Sequence, residues 1–392
     1  PEYYRTSFGE LRTISSITMF DPIATYELDT LEWGTRTETG GSIAYQTTSG
    51  VTRLTVDTQA DAEATIRTHT HFRYKAGNSL RTKITLIHAD TGKTNQTRRW
   101  GLFQDSDGLG FQLSGTTLGI FKRSSVSGSV VNTVVNQADW NQDKLDGTGS
   151  SGITLDITKG SIYEIDFQWL SLGKVRYWIN GILVHVFNFG NIITVPYMRT
   201  ATLPIQIEII NNALSTSSNI DYVCSSVSSD GGIAPPGYSF GVGNSVDKTI
   251  GTSEIPLLAI SPKATYATTT NRMLVLPKLI SVMCESNRAG FGVIINPTLT
   301  DPSWTSVGNS SGVEYDVTAS AFSNGFRILT GFLPNASDSA IIDVTSLFNE
   351  LGRKLRVNAF VSSQDVLLIV GNNEAAGGNT TMRCSIAWEE VR

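Results

Sequence analysis

Residues 161–189 read SIYEIDFQWLSLGKVRYWINGILVHVFNF, and the fold class follows from this stretch. Tyr163, Ile165, Phe167 and Trp169 alternate with Glu164, Asp166 and Gln168, a period of two that places the apolar set on one face of a strand. Asn180-Gly181 then separates Val175–Ile179 from Ile182–Phe187, both rich in β-branched and aromatic residues. Both central residues of a type I′ turn need positive φ, so Asn-Gly between two such runs predicts a tight hairpin. Downstream, LPIQIEII (203–210) alternates Ile205, Ile207 and Ile209 with Gln206 and Glu208. Upstream, VTRLTVDT (51–58), SLRTKITLIHA (79–89), GLGFQLSGTTLGIFKR (108–123) and VSGSVVNTVV (126–135) read as strands broken by Gly- and Asp-rich turns. Short strands with turn signals every ten or so residues predict an all-β, antiparallel β-sandwich of the jelly-roll kind.

The composition agrees. Charged residues make up 17% of the 392, below the usual ~25%. A net charge of -5 without a basic stripe argues against nucleic acid as partner, and no apolar run reaches the ~20 residues of a membrane-inserted helix. Cys224, Cys284 and Cys384 are odd in number and far apart, which fits buried small residues rather than disulfides or a zinc site. The opening PEYYRTSF carries no signal-peptide pattern, so synthesis in a reducing cytoplasm is expected.

The length predicts two domains. SSDGGIAPPGYSFGVGN (228–244), with Pro235-Pro236, is the natural break. The expected organisation is an N-terminal arm (1–30) that docks on a neighbour, a sandwich (31–230), a linker (231–244) and a smaller β-sandwich (245–392). In the last, KLISVMCES, GFGVIIN, KLRVNAFVSS, DVLLIV and SIAWEEV read as strands, and VTSLFNELGRK (344–354) as a short helix.

Candidate chemistry was sought motif by motif. WNQDKLDGTGSSGITLDITKG (140–160) gathers Asp, Gly, hydroxyls and Trp140 in one window. As a phosphate cradle, GTGSSGIT (147–154) has Ile153 where the required Lys belongs and runs into strand-like rather than helical sequence. As a calcium loop, Asp143 and Asp146 lack the twelve-residue spacing and closing Glu, and DSDG (105–108) reads better as an Asx turn. Trp140, Asp143 and Asp146 remain as candidate ligand or subunit contacts, with Trp140 a platform on which a sugar could stack. His69 and His71 share a face of a likely strand, and His185 reads as a hydrogen-bonded, partly buried side chain. No metal, cofactor or catalytic residue is assigned.

EIDFQ (164–168) is similar to the E-[IL]-D-x-E strand of jelly-roll glycoside hydrolases that cut β-glucans, in which alternate carboxylates face one cleft. Gln168 stands where the second Glu belongs and cannot exchange a proton in that role. Hydrolysis therefore ranks last among the readings.

Longer blocks carry a second resemblance. RYKAGNSL (73–80), the stretch 103–131, WNQDKLDGTGSSGITLD, residues 165–189, IPLLAISPKATY (255–266), TNRMLVLPKLISV (270–282), 296–317 and the closing SIAWEEV together resemble structural proteins of tailed-bacteriophage virions with a concanavalin- or laminin-G-like first domain. The likeness covers most of residues 65–392. The loop reads SSG where those proteins have Pro before the Gly. The resemblance implies a non-enzymatic virion component (tail, fibre or capsid decoration) made in the host cytoplasm. It implies a homo-oligomer, usually a trimer, that binds other virion proteins and host-surface glycans. The alternative expectation is a carbohydrate-binding lectin module.

Overall fold

The computed structural model describes residues 5, 7, 9, 16–231, 237–244, 246–349, 352–375 and 378–392. The chain forms two compact units, residues 1–234 and 235–392. Both are antiparallel β-sandwiches, the first of concanavalin-like jelly-roll type, as the alternation predicts.

Among its described residues unit 1 has fifteen strands: β1 Ile17–Phe20, β2 Trp33–Glu38, β3 Gly41–Gln46, β4 Val51–Val56, β5 Glu63–Thr68, β6 Leu80–His88, β7 Gln96–Phe103, β8 Gly108–Ser114, β9 Thr117–Ser124, β10 Val131–Asn136, β11 Ser161–Phe167, β12 Val175–Ile179, β13 Ile182–Phe187, β14 Ile205–Asn211 and β15 Ser218–Ser229. One sheet runs β13-β12-β11-β6-β15-β4-β3, with β1 on β15; the other runs β10-β9-β8-β7-β14-β5-β2. The last two strands close the fold by entering the sheet centres, β14 between β7 and β5 and β15 between β6 and β4.

The opening stretch behaves as read. Tyr163, Ile165 and Phe167 are buried in the core, and Asn180 and Gly181 adopt φ of 49° and 79° between β12 and β13. Trp169 lies just past β11 and packs against the core from its margin. Rings from both sheets interlock. Trp100 and Phe111 meet Tyr163 edge-on at 4.9 and 5.1 Å between centroids, and Phe111 meets Tyr177 at 5.4 Å. Such geometry adds about 0.5–1.5 kcal/mol per pair beyond the area buried.

The sandwich has two sides to close. On one, the turn Thr39-Gly40 joins β2 of one sheet to β3 of the other. Gly40 sits at φ 79° with the Asp57 carboxyl 2.2 Å from where a Cβ would lie, so only glycine fits there. On the other side, the chain between β10 and β11 crosses from one sheet to the other.

In the expected arm, Ser7 donates to Asp166 and Arg176 donates to the Arg5 carbonyl, so these residues lie on the chain's own eight-stranded sheet. Asp166 and Arg176 form a buried ion pair beneath them.

In unit 2 the two main sheets run, in order, Tyr238–Gly243, Thr380–Val391, Leu274–Cys284, Ser339–Asp343, and Thr305–Ser306, Val313–Asp316, Ile255–Pro262, Leu367–Asn373, Ala289–Ile295, Phe326–Leu333. Part of the expected linker is thus a strand, while Pro235-Pro236 lies outside the described residues. The helix expected at 344–354 is a single turn over its described residues, closed by Phe348 N–H to Val344 O at 3.2 Å. Val344 and Phe348 are fully buried, so they anchor a loop to the core instead of forming a helical stripe. KLRVNAFVSS likewise is a loop, buried at Lys354–Val357 and Ala359 and exposed at Val361–Ser363, held by isolated bridges, Val275 to Leu355 and Val357 to Gln364. Cys284 and Cys384 are buried and Cys224 half-buried, all three as free thiols.

His88 sits against Trp100 at 4.8 Å, and its ring nitrogens have no partner. Burial, reinforced by the Arg98 cation and partly opposed by Asp90, lowers its pKa from 6.5 to about 3. The unfolded chain therefore binds a proton below pH 6.5 that the folded chain refuses. The neutral ring's contribution is complete above pH 6.5 and is lost as pH falls towards 3, by up to about 1.4 kcal/mol per pH unit. Urea unfolding at intervals between pH 7 and 4.5 should show this slope and its reduction in His88→Gln; an equal slope in both proteins would rule it out.

Candidate functional site

The 140–160 loop is a strand-edge cap. Gln142 N–H donates to Val184 O at 3.2 Å, and the Asn141 amide bonds both the N–H and the C=O of Val186, at 3.0 and 2.9 Å. His185 Nδ1 accepts the Asn141 N–H at 3.3 Å. Desolvation holds that ring's pKa at about 4, consistent with a neutral acceptor. These bonds cover the free edge of β13, which would otherwise present unpaired backbone.

The sequence-derived contacts fare unequally in this geometry. Trp140 is 3% exposed, belongs to the core cluster and donates its indole N–H to Val135 O, so its face offers no sugar platform. Asp143 is buried and accepts from Leu145 N–H, Ser151 N–H and Ser150 Oγ. Desolvation raises its pKa, but these donors outweigh it and the net shift is downward. Asp146 is exposed and caps Thr148 through backbone and hydroxyl. Each carboxylate ties the loop to itself, and no group of three or more metal-ligating side chains gathers among the described residues.

The DSDG turn divides its carboxylates. Asp107 is fully buried and accepts from Arg199 N–H and Ser125, whereas Asp105 is exposed and pairs with Arg67 at 2.5 Å. His69 and His71 follow the end of β5 rather than lying on it. In EIDFQ, Glu164 pairs with Arg81 and Lys83, and Asp166 with Arg176 under Ser7. Desolvation raises the Glu164 pKa against the pull of those two cations. The Gln168 side-chain oxygen is buried and has no partner.

A larger polar array lies on the outer face of the seven-stranded sheet. Because Ile66, Ile207 and Trp100 point inward, their neighbours Thr65, Arg67, Gln206, Glu208 and Arg99 point outward. Register brings these together: Gln206 lies opposite Arg67, and Glu208 opposite both Thr65 and Arg99. A continuous hydrogen-bonded row results. Arg67 bridges Asp105 and Gln206; the Gln206 amide donates to Glu208 at 2.5 Å; Arg99 donates to Glu208 at 2.8 Å and to Gln112 at 3.2 Å. Beside it, Arg36 and Thr65 both donate to Glu63, at 2.6 and 2.7 Å.

At the far end, Arg123 lies over the rings of Phe103 and Phe121, 5.4 and 5.7 Å from their centroids, and donates to Asn132. Phe121 lies over Gly110, where an added Cβ would come within 2.5 Å of the ring. The array sets four arginines (36, 67, 99, 123) against three hydrogen-bonded carboxylates (Glu63, Asp105, Glu208), and Glu38 adds a fourth carboxylate opposite Glu63. Asp105 is the most open of the three hydrogen-bonded ones, with 75% of its side chain exposed. Desolvation pushes its pKa up, but Arg67, aided by Arg36 and Arg123, outweighs it and takes the carboxyl below its usual range.

The Gln206/Glu208 alternation is legible in the sequence, whereas the assembled face is not. The usable signal was charge recurring every second residue in Glu63-x-Thr65-x-Arg67 and Gln206-x-Glu208. Only strand order shows that the two runs are adjacent.

No family model and no curated protein matches the chain. Solved structures do. An endo-β-1,4-glucuronan lyase from the fungus Trichoderma reesei is similar at 10% identity and a TM-score of 0.37, over 54% of this chain and 95% of that one. The carbohydrate recognition domain of Emp46p, in a metal-free form, gives 11%, 0.36, 55% and 98%. An endo-1,3-β-glucanase from Streptomyces sioyaensis gives 13%, 0.36, 56% and 97%. Likeness at this level concerns the fold alone. It corrects the expectation that the chain is not an enzyme, because a lyase and a glucanase are built on the same architecture, which therefore gives no ground for excluding catalysis.

Asn141→Ala should lower stability by about 1–2 kcal/mol, the usual cost of unpairing backbone that an amide had satisfied, with faster amide exchange confined to β13. Unchanged exchange at Val186 would show that the loop does not protect this edge.

Proposed function

We propose that the chain is a carbohydrate-binding β-sandwich protein whose glycan site is the outer face of the seven-stranded sheet. The observation that carries this reading is the Asp105–Arg67–Gln206–Glu208–Arg99–Gln112 row. Guanidiniums, amides and carboxylates fix one another on rigid strands, and the open members of the row, Asp105 with 75% and Arg99 with 20% of the side chain exposed, offer polar groups that suit vicinal hydroxyls and carboxylates. The four arginines, whose forks match carboxylates, favour an acidic glycan over a neutral one.

A second reading, glycan cleavage, is favoured by the placement of Glu63 and Glu208. They are diagonal neighbours across the β5–β14 pair, since Glu208 lies opposite Thr65. Diagonal strand positions are about 7–8 Å apart, which lets two carboxyl side chains face one substrate bond, as paired carboxyls do in glycoside hydrolysis.

The finer expectation, a tailed-bacteriophage virion protein, rests on sequence resemblance alone. In that setting the face would bind host-surface glycans, and the chain would be a trimer among other virion proteins. Mass measurement in solution tests the oligomer, a monomer at micromolar concentration counting against it.

The full chain on a glycan array should retain acidic glycans, and Arg99→Ala or Glu208→Gln should weaken binding by about tenfold or more, the effect of ~1.4 kcal/mol or above. No retained glycan, or binding indifferent to both substitutions, would overturn the proposal. Reducing ends or unsaturated uronyl products released from the bound polysaccharide, and abolished by Glu208→Gln, would extend it from binding to cleavage.

A further inference from the structure

The edges of unit 1 are not treated alike. β13 is capped by residues 141–143, and the tight turn Thr39-Gly40 ties together β2 and β3, the edge strands of the two sheets. β10, Val131–Asn136, ends the seven-stranded sheet and pairs only with β9. Apart from the Trp140 indole on Val135 O, no hydrogen bond beyond that pairing is made by its backbone among the described residues. Its sequence, VNTVVN, has no charge and no Pro, and its register with β9 is unbroken by a bulge. It therefore lacks the usual devices that keep a free edge from accepting another strand. Val131 and Val134 are exposed.

A pocket of about 440 Å³ opens beside this strand. Its walls include Val131 and Thr133 on β10, Ile193, Val195 and Tyr197 on the loop opposite, and Lys122 on β9. Lys122 stands 5.4 Å from the Phe189 ring centroid, and no carboxylate pairs with it among the described residues. The pocket is thus aliphatic with one unmatched cation, and it adjoins a row of backbone groups that only an extended chain can satisfy.

We infer that the β10 edge and this pocket bind an extended peptide segment of a partner protein, which adds to the sheet as a strand, seats an aliphatic side chain between β10 and the 193–197 loop, and places an acidic side chain on Lys122. Main-chain pairing supplies affinity and the pocket selects the sequence, the division of labour seen wherever a strand is added to a sheet edge. This surface is separate from the polar row, so the inference does not depend on the glycan reading.

The probes are capped octapeptides that alternate Val and Thr with one Asp placed at each position in turn, and the same series with Asn. With the full chain, at least one Asp peptide should bind saturably and slow amide exchange at residues 131–136. Lys122→Met keeps the packed stem and removes the charge; it should weaken that peptide by about tenfold, or ~1.4 kcal/mol, without affecting its Asn counterpart. Val131→Asp, at an exposed position, should act in the same direction by placing a carboxylate beside Lys122. Four results would overturn the inference: no binding by any peptide, binding without protection of 131–136, an equal effect of Lys122→Met on the Asp and Asn peptides, or Asp-peptide binding untouched by Val131→Asp. Self-association in sedimentation that protects 131–136 and survives Lys122→Met would assign the edge to a second copy of the chain and would also overturn it.

Discussion

The interlock of Trp100, Phe111, Tyr163 and Tyr177 between the two sheets is the constraint on which unit 1 depends. A strand turned over by one residue would carry its whole apolar set out of the core, so these rings fix the facing of every strand paired to theirs. The polar row is the other side of that coin. Once Trp100, Ile207 and Ile66 are committed inward, Arg99, Glu208, Gln206 and Arg67 have only the outer face to occupy. Arg67 and Glu208 are nevertheless almost inaccessible to solvent, which is tolerable because each is matched by a hydrogen-bonded partner. A rigid, self-satisfied polar layer on a sheet is a different object from a solvated strand face, and it is the basis of the glycan-binding reading.

Edges are the second constraint. Two stacked sheets have open sides, and unit 1 closes them by dissimilar means: a tight turn from one sheet to the other at Thr39-Gly40, and a loop whose Asn141 imitates a missing strand on β13. The Asp and Gly content of that loop, which in sequence resembles a phosphate or calcium cradle, is explained by this task. Asp143 and Asp146 hold the turn that carries Asn141 and Gln142 to the edge. β10 is left open.

Much of this architecture was legible in the sequence. Strict alternation in 161–169 and 203–210, and the Asn180-Gly181 turn, are local signals, and they located β11 to β14 to within a residue or two. The site was less legible, for a physical reason. Glu208 becomes meaningful because Arg99 and Thr65 flank it, and those pairings join residues more than a hundred positions apart. Trp140 misled in the opposite sense: a Trp among Asn and Asp looks exposed, but the sequence does not reveal that its ring turns into the core while its neighbours stay out. Val344 and Phe348, spaced as in a helix, serve instead as plugs for a loop.

The central claim, that recognition takes place on the outer face of the seven-stranded sheet, is tested most directly by carbodiimide labelling of carboxylates read by mass spectrometry with and without a bound acidic glycan. Asp105 is open in the free protein, and the account predicts that bound glycan shields it while Asp146 and Asp156, both exposed in the 140–160 loop, label at an unchanged rate. Shielding of Asp146 or Asp156 with Asp105 still reactive would contradict the account and return the site to the loop that precedes β11.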